Sequence, residues 1–462
     1  MRIWIICLGC LIPNFVWCQV GVYRSPKPGF EERIHTAIDT LMIIDTHEHL
    51  INEKQSDALK GDFGCLFNNY QFSDLVSSGS ELSGEEMERK MRSTQLSSTE
   101  KWDVIKDHWN NIKTTAYGRM INIAARDLFD IPELNQNTYL ELSARISKLR
   151  EKEDYYEYIL KRKAKIDLSI LIGFNDDPAK QDDRFFKSLF WSDEIYLLDN
   201  YQKVVSICKN LNEPAATTLA DYENLVEKII HKQISVNGVV GLKIMMAYKR
   251  TLQCDDVPRE KAMELFQKLR KNESKKFVFE KIKPLQDYLL FYVFSLCDKY
   301  DLPVQIHTGM QTFNQNYITN TNPTGLTEAF LKFPHVRFAL LHASYPYGGE
   351  LAALAKKFPN IFIDMTWAAL ISPSYTVRYL QEYIETVPIN KIVAFGGDCH
   401  TPEGVYAASV MARETVENAL VPMVGNGYLS ELEAIEIVNK ILRTNAIDFY
   451  GLQGNRTKFI QN

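Results

Sequence analysis

Eight short apolar runs, separated by stretches of helical pattern, constrain this chain more than any other feature. They fall at 41–47, 166–172, 204–207, 239–246, 303–307, 336–342, 361–365 and 392–395. Apolar runs of this length bounded by polar residues read as buried strands. Strands that alternate with helices imply βαβ units and a parallel sheet. Eight such units predict an α/β fold of the closed (β/α)8 kind, a TIM barrel. No Gly-x-Gly-x-x-Gly turn interrupts the runs, which disfavours a nucleotide-binding doubly wound sheet.

The chain has 462 residues, more than the roughly 250 of a bare barrel. The excess is expected at about 52–165, where charged residues dominate and apolar ones recur at helical spacing: Trp102, Ile105, Trp109, Ile112, then Tyr117, Met120, Ile121, Ala124, Leu128. This stretch reads as a helical insertion after the first strand, on the barrel end where such loops cover an active site. A separate helical domain without a part in the site is the alternative. Residues 19–462 are read as a single barrel domain with that insertion.

Ahead of it, Arg2 and the apolar run Ile3 to Trp17, ending at Cys18-Gln19, have the layout of a cleaved signal peptide over 1–18. The run is too short for a comfortable membrane span. The expected location is therefore exported, periplasmic or extracellular, with no stable span after cleavage; a lipid anchor on Cys10 or Cys18 is left open. Cleavage would leave Cys65, Cys208, Cys254, Cys297 and Cys399. Five cysteines so widely spaced make neither a disulfide framework nor a thiolate zinc site. With 53 Lys and Arg against 58 Asp and Glu, a net charge of -5, and no basic stripe, nucleic acid is not an expected partner. A small-molecule substrate is, and a homo-oligomer is allowed.

The chemistry gathers at strand ends. Ile43-Ile44-Asp45-Thr46-His47-Glu48-His49 closes the first run. Residues two apart on a strand share a face, so His47 and His49 can present two imidazoles to one point. Later runs end in His307, His342 and Asp398. Each alone has a plain reading: a hydrogen-bonded core histidine, or for Asp398 a helix cap. Together, at the carboxyl ends of barrel strands, His47, His49, His307 and Asp398 form a candidate metal set with His342 beside it. Three imidazoles and a carboxylate suit zinc first, with manganese, iron or nickel as alternatives. Asp45 shares the face of His47 and is expected to orient an imidazole; Glu48 points the other way and reads as structural.

The order His-x-His, Lys, His, His, Asp resembles the amidohydrolase superfamily of metal-dependent (β/α)8 enzymes. Leu341-His342-Ala343-Ser344-Tyr345-Pro346-Tyr347, Gly241-Leu242-Lys243 with Ala247-Tyr248, and Gly397-Asp398 followed by Pro402-Glu403 are similar to the amidohydrolase-related branch, in particular to domains fused to glutamine synthetase-like proteins. The insertion after His49 resembles the uronate isomerase side of that branch. The resemblance implies that His47 and His49 are first-strand ligands, His307 the fifth-strand ligand, His342 the sixth-strand histidine and Asp398 the eighth-strand aspartate. Lys243 lies where binuclear relatives carry a carboxylated lysine bridging two metals. Here Tyr248-Lys249-Arg250 follows it, a setting suited to a substrate carboxylate, so one ion is expected rather than two. A structural ion pair is the other reading of Lys243.

The expected function is a metal-dependent hydrolase that cleaves a C–N or C–O bond (amide, lactone or ester) of a small carboxylated substrate. Asp398 and His342 would be catalytic. Lys243, Tyr248, Arg250, Tyr345 and His400 would bind substrate, with Trp367 and Arg119 further candidates by position. A uronate or sugar-acid isomerase or a metal-dependent decarboxylase is the alternative, and a non-catalytic exported binding protein the second.

Overall fold

A computed structural model describes residues 26–453 apart from 52, 54–60, 68, 174–181 and 313; the expected signal segment, 1–18, lies outside the described residues. Eight parallel strands lie side by side in chain order. They are β1 (Ile43–Glu48), β2 (Ile166–Gly173), β3 (Phe186–Trp191), β4 (Gly241–Ile244), β5 (Val304–Ile306), β6 (Phe338–Leu340), β7 (Ile361–Asp364) and β8 (Ile392–Val393). Three backbone bonds bring the first and last together: Thr46 N–H to Phe395 O (3.3 Å), Asp398 N–H to His47 O (2.8 Å) and His49 N–H to Cys399 O (3.0 Å). Helices cover the outside, as parallel sheets require. The architecture is the expected α/β barrel.

Seven of the eight apolar runs hold a strand. The third does not. Val204 to Ile207 lies in the helix Tyr201–Asn210, which buries Tyr201, Val204 and Cys208 at helical spacing. β3 is instead Phe186–Trp191. There Lys187 and Ser188 break the apolar run, and alternation along a strand gives them separate faces.

Between β1 and β2 the chain is helical: Asn69–Ser77, Gly84–Met91, Ser98–Ile112, Ala116–Phe129 and Tyr139–Arg150, then a wider-wound turn at Glu157–Lys163. Local chemistry fixes the starts. Ser83 with Glu86 and Ser97 with Glu100 form reciprocal capping boxes, which satisfy first-turn N–H groups. The stripe Trp102, Ile105, Trp109 and Ile112 is buried, and Trp102 stacks on Tyr139 with ring centres 5.2 Å apart.

This helical layer is tied to the barrel by a buried ion pair. Arg150 grips Glu403 through Nε to Oε1 (3.0 Å) and Nη2 to Oε2 (3.1 Å). Glu403 lies in the first turn of the helix Pro402–Gly425, just past the last strand. Its side chain is fully buried and that of Arg150 is 7% exposed. Cys65, Cys208, Cys254, Cys297 and Cys399 are all free thiols. Among the described residues no helix is long and apolar enough to cross a membrane.

Removing one partner of a buried ion pair leaves an uncompensated charge, at about 3–5 kcal/mol. Glu403→Gln is therefore expected to lower the urea-unfolding free energy by about 3 kcal/mol. A loss below about 1 kcal/mol, the range of exposed pairs, would show that this bond does not anchor the helical layer.

Candidate metal centre

The site is built where the barrel closes. After β8 the chain runs Ala394-Phe395-Gly396-Gly397-Asp398-Cys399 across the end of β1. The two glycines are needed for space. A Cβ on Gly396 would lie 2.0 Å from Thr366 Oγ1, and one on Gly397 would lie 2.0 Å from Glu48 Oε1. Asp398 itself has φ 56°, in the left-handed region that non-glycine residues rarely adopt. It is not alone. His342 (φ 63°), Ala343 (47°), Ser344 (49°) and Trp367 (65°) share that region, all at the carboxyl ends of β6, β7 and β8. Such conformations cost about 1–3 kcal/mol each and persist where the surroundings over-determine them, as at functional sites.

Asp398 Oδ1 lies 3.1 Å from His49 Nε2 and 3.6 Å from His47 Nε2. The three ligand atoms all fall within 4.8 Å of one another. Donors bound at about 2.0–2.1 Å in a tetrahedron stand about 3.3 Å apart, so the spacing fits one ion of that size. The donor chemistry fits too. Gln305 donates through Nε2 to Thr46 O (2.7 Å), which turns its Oε1 toward His47 Nδ1 at 2.8 Å. His47 therefore carries its proton on Nδ1 and directs the Nε2 lone pair at the centre. Burial, reinforced by Lys243, holds His47 well below the usual histidine range. Burial also acts on Asp398, pushing its carboxyl up, but the imidazoles of His47, His49 and His342 outweigh it and hold the group well below the usual carboxylate range. A neutral imidazole and an ionised carboxylate are what a divalent cation binds without displacing protons.

His307 and His342 stand beside this set. His342 Nδ1 is 3.9 Å from Asp398 Oδ2 and 3.1 Å from Thr366 O. Its Nε2 is 3.0 Å from His307 Nδ1, and His307 Nε2 is 3.0 Å from Met310 O. The chain of contacts thus ends on a carbonyl at both sides. Each outer nitrogen must carry a proton to bond there, which leaves two inner lone pairs facing each other unless a further proton or a cation comes between them. The grouped ligand atoms are those of His47, His49 and Asp398; His307, expected as a further ligand, stands beside them through His342. Burial pushes His342 down to about 4.

Lys243 is fully buried and its Nζ has no hydrogen-bond partner. Burial pushes its ammonium down to about 7, against the opposing pull of Asp398, Asp364 and Asp193. Tyr248 packs its ring 4.7 Å from that of His307 and shares a 3.3 Å contact with Thr312 Oγ1. His400 stacks on His49 at 5.0 Å, and burial pushes it down to about 3. The expected placing of Arg250 in the site is corrected. Its guanidinium turns to Asp287 at 2.5 Å and to Gln253 O at 2.9 Å, because a buried cation needs a buried counter-charge. Tyr345 packs on Tyr375 with ring centres 4.6 Å apart. Arg119 pairs with Glu414 on the surface.

Some residues here carry no clear sequence signal. Tyr70 and Tyr117 come from the helical layer. Tyr70 stacks on Trp367 at 4.5 Å and on Tyr117 at 5.3 Å, and its hydroxyl donates to Asp398 O at 2.5 Å. Trp367 meets His342 edge to face at 5.2 Å. Gln305 did leave a signal: a polar residue two before His307 in an apolar run must share its face. Asp45 reaches His47 through its backbone rather than its ring: the carboxylate accepts from His47 N–H (3.3 Å), Ser169 Oγ (2.9 Å) and Gly397 N–H (3.2 Å).

Residues 276–452 match the family model described as Amidohydrolase. Protein fluG of Emericella nidulans is 27% identical over 233 residues, 48% of this chain and 27% of that protein; the matched region spans about a quarter of fluG. Among solved structures, the uronate isomerase of Thermotoga maritima superposes with a TM-score of 0.75 at 15% identity, covering 91% of this chain and 97% of that one. The glucuronate isomerase of Caulobacter crescentus gives 0.75 at 17% identity, covering 93% and 96%. Both share the fold.

The shift at His342 has a sign that can be tested. Its folded value of about 4 lies below the ordinary 6.5, so between those pH values the unfolded chain binds the extra proton. Its contribution to stability is present above pH 6.5 and lost as pH falls toward 4. In metal-free protein the stability gap between wild type and His342→Gln should narrow from pH 7 to pH 4.5, measured by urea unfolding. A gap that stays constant would contradict the assigned state.

Proposed function

We propose that the chain is a metal-dependent hydrolase acting on a small carboxylated substrate. The observation that carries the reading is the buried carboxylate of Asp398, with one oxygen facing His47 and His49 and the other facing His342. A divalent ion held by His47, His49 and Asp398, zinc first, would supply an acidified water and an electrophile for the substrate carbonyl. Asp398 takes the proton of the attacking water on Oδ2 and returns it to the leaving group. His342, 3.9 Å from that oxygen, steadies the charge that moves there. Lys243 offers a buried ammonium without a partner, and a substrate carboxylate placed beside it would supply the missing counter-charge. Tyr248 and His400 flank the centre as walls. The apolar amino-terminal run supports export of this enzyme.

A second reading, a sugar-acid isomerase, is favoured by the names of the solved structures that match over nine-tenths of both chains. The two separate by product: hydrolysis breaks a bond, whereas isomerisation conserves mass. Metal-loaded protein incubated with N-acyl amino acids, lactones and uronates, read by mass spectrometry, decides between them.

On any substrate so found, Asp398→Asn should lower kcat by about 10²–10⁴-fold; full activity would remove Asp398 from its role. Lys243→Met should raise KM at least tenfold with a smaller effect on kcat. An unchanged KM would mean that Lys243 does not hold the substrate.

A further inference from the structure

We propose that Asp45 and Glu48, the two acids interleaved with the histidines of β1, are positioning residues that set the backbone of Asp398. Three successive N–H groups of the closing turn are received by β1. Gly397 N–H goes to Asp45 Oδ1 (3.2 Å), Asp398 N–H to His47 O (2.8 Å) and Cys399 N–H to Glu48 Oε2 (2.6 Å). The side chains thus continue the strand ladder past the last residue of β8, at the point where regular pairing ends. Asp45 is itself fixed by Ser169 Oγ at 2.9 Å. From the opposite side Tyr70 takes the carbonyl of Asp398 at 2.5 Å. Both backbone polar groups of Asp398, and the N–H groups on either side, are therefore committed. That is the over-determination a left-handed aspartate needs. With the backbone so held, the carboxylate stands 3.1 Å from His49 and 3.6 Å from His47. Gly397 completes the device, since any Cβ there would meet Glu48 Oε1 at 2.0 Å. Mere filling of a buried space would not explain an acceptor matched to each successive N–H.

The inference rests on the metal-centre reading, and the test separates the two. Cobalt(II) dissociation constants are measured by competition with a chromogenic chelator, with the visible spectrum of the bound ion recorded. Melting of each metal-free variant is measured in parallel. Glu48→Gln keeps an oxygen for the Cys399 N–H and should bind within about threefold of wild type. Glu48→Ala and Asp45→Ala should bind about 10–100-fold more weakly, the range found for groups that orient metal ligands, with an altered cobalt spectrum. Should either alanine variant fail to fold, Asp45→Asn, which keeps one acceptor oxygen, and Gly397→Ala, which displaces Glu48, carry the test; Gly397→Ala should weaken binding as Glu48→Ala would. Alanine variants that melt lower yet bind cobalt with wild-type affinity and spectrum would overturn the inference alone. A wild-type protein that binds no cobalt would overturn the metal centre and this inference with it.

Discussion

The bond from Asp398 N–H to His47 O is the constraint on which the rest depends. It lies where the first and last strands meet, so it helps to close the sheet. It also joins the backbone of one candidate ligand to that of another. Closure and site assembly are therefore one event: if β8 fails to reach β1, Asp398 does not reach His47 and His49. This coupling accounts for the polar character of β1, which is buried along its whole length although four of its six residues are Asp45, Thr46, His47 and Glu48. Each finds a partner across the closure: Thr46 Oγ1 bonds to Phe395 O and to Asp364. Buried polar groups are tolerated only when paired, and here the pairing defines the site.

The helical layer after β1 belongs to the same arrangement. It reaches the centre through aromatic rings rather than charges. The stack Tyr117–Tyr70–Trp367 ends against His342, and the Arg150–Glu403 pair holds the layer to the helix that follows Asp398. Stacked rings exclude water, which strengthens electrostatic interactions at the carboxylate.

Much of this was legible in the sequence because strand ends in a barrel carry both a pattern and a chemistry. His47 and His49 were found from alternation, and Asp398 from its place after an apolar run. The third strand was misplaced because Val204 to Ile207 is a compact apolar run, while Phe186–Trp191 carries Lys187 in its middle; hydropathy alone cannot tell a buried helix face from a strand. The sequence neighbours of Arg250 point to the site, but Asp287, the partner that claims it, lies 37 residues away. The strand position of His307 points to the ligand set, and in the structure its Nδ1 faces His342 Nε2 while its Nε2 bonds Met310 O. Tyr70 could not be found by any local rule, since its contact spans 328 residues.

Elemental analysis of the chain, purified without chelator or metal-affinity resin, is the decisive measurement for a single divalent ion held by His47, His49 and Asp398. One transition-metal ion per chain, lost in His47→Ala, is expected. Two ions per chain would mean that Lys243 carries a bridging group and that the site is binuclear. A wild-type chain that takes up no metal from a zinc- or manganese-supplemented buffer would rule out a metal centre at these residues.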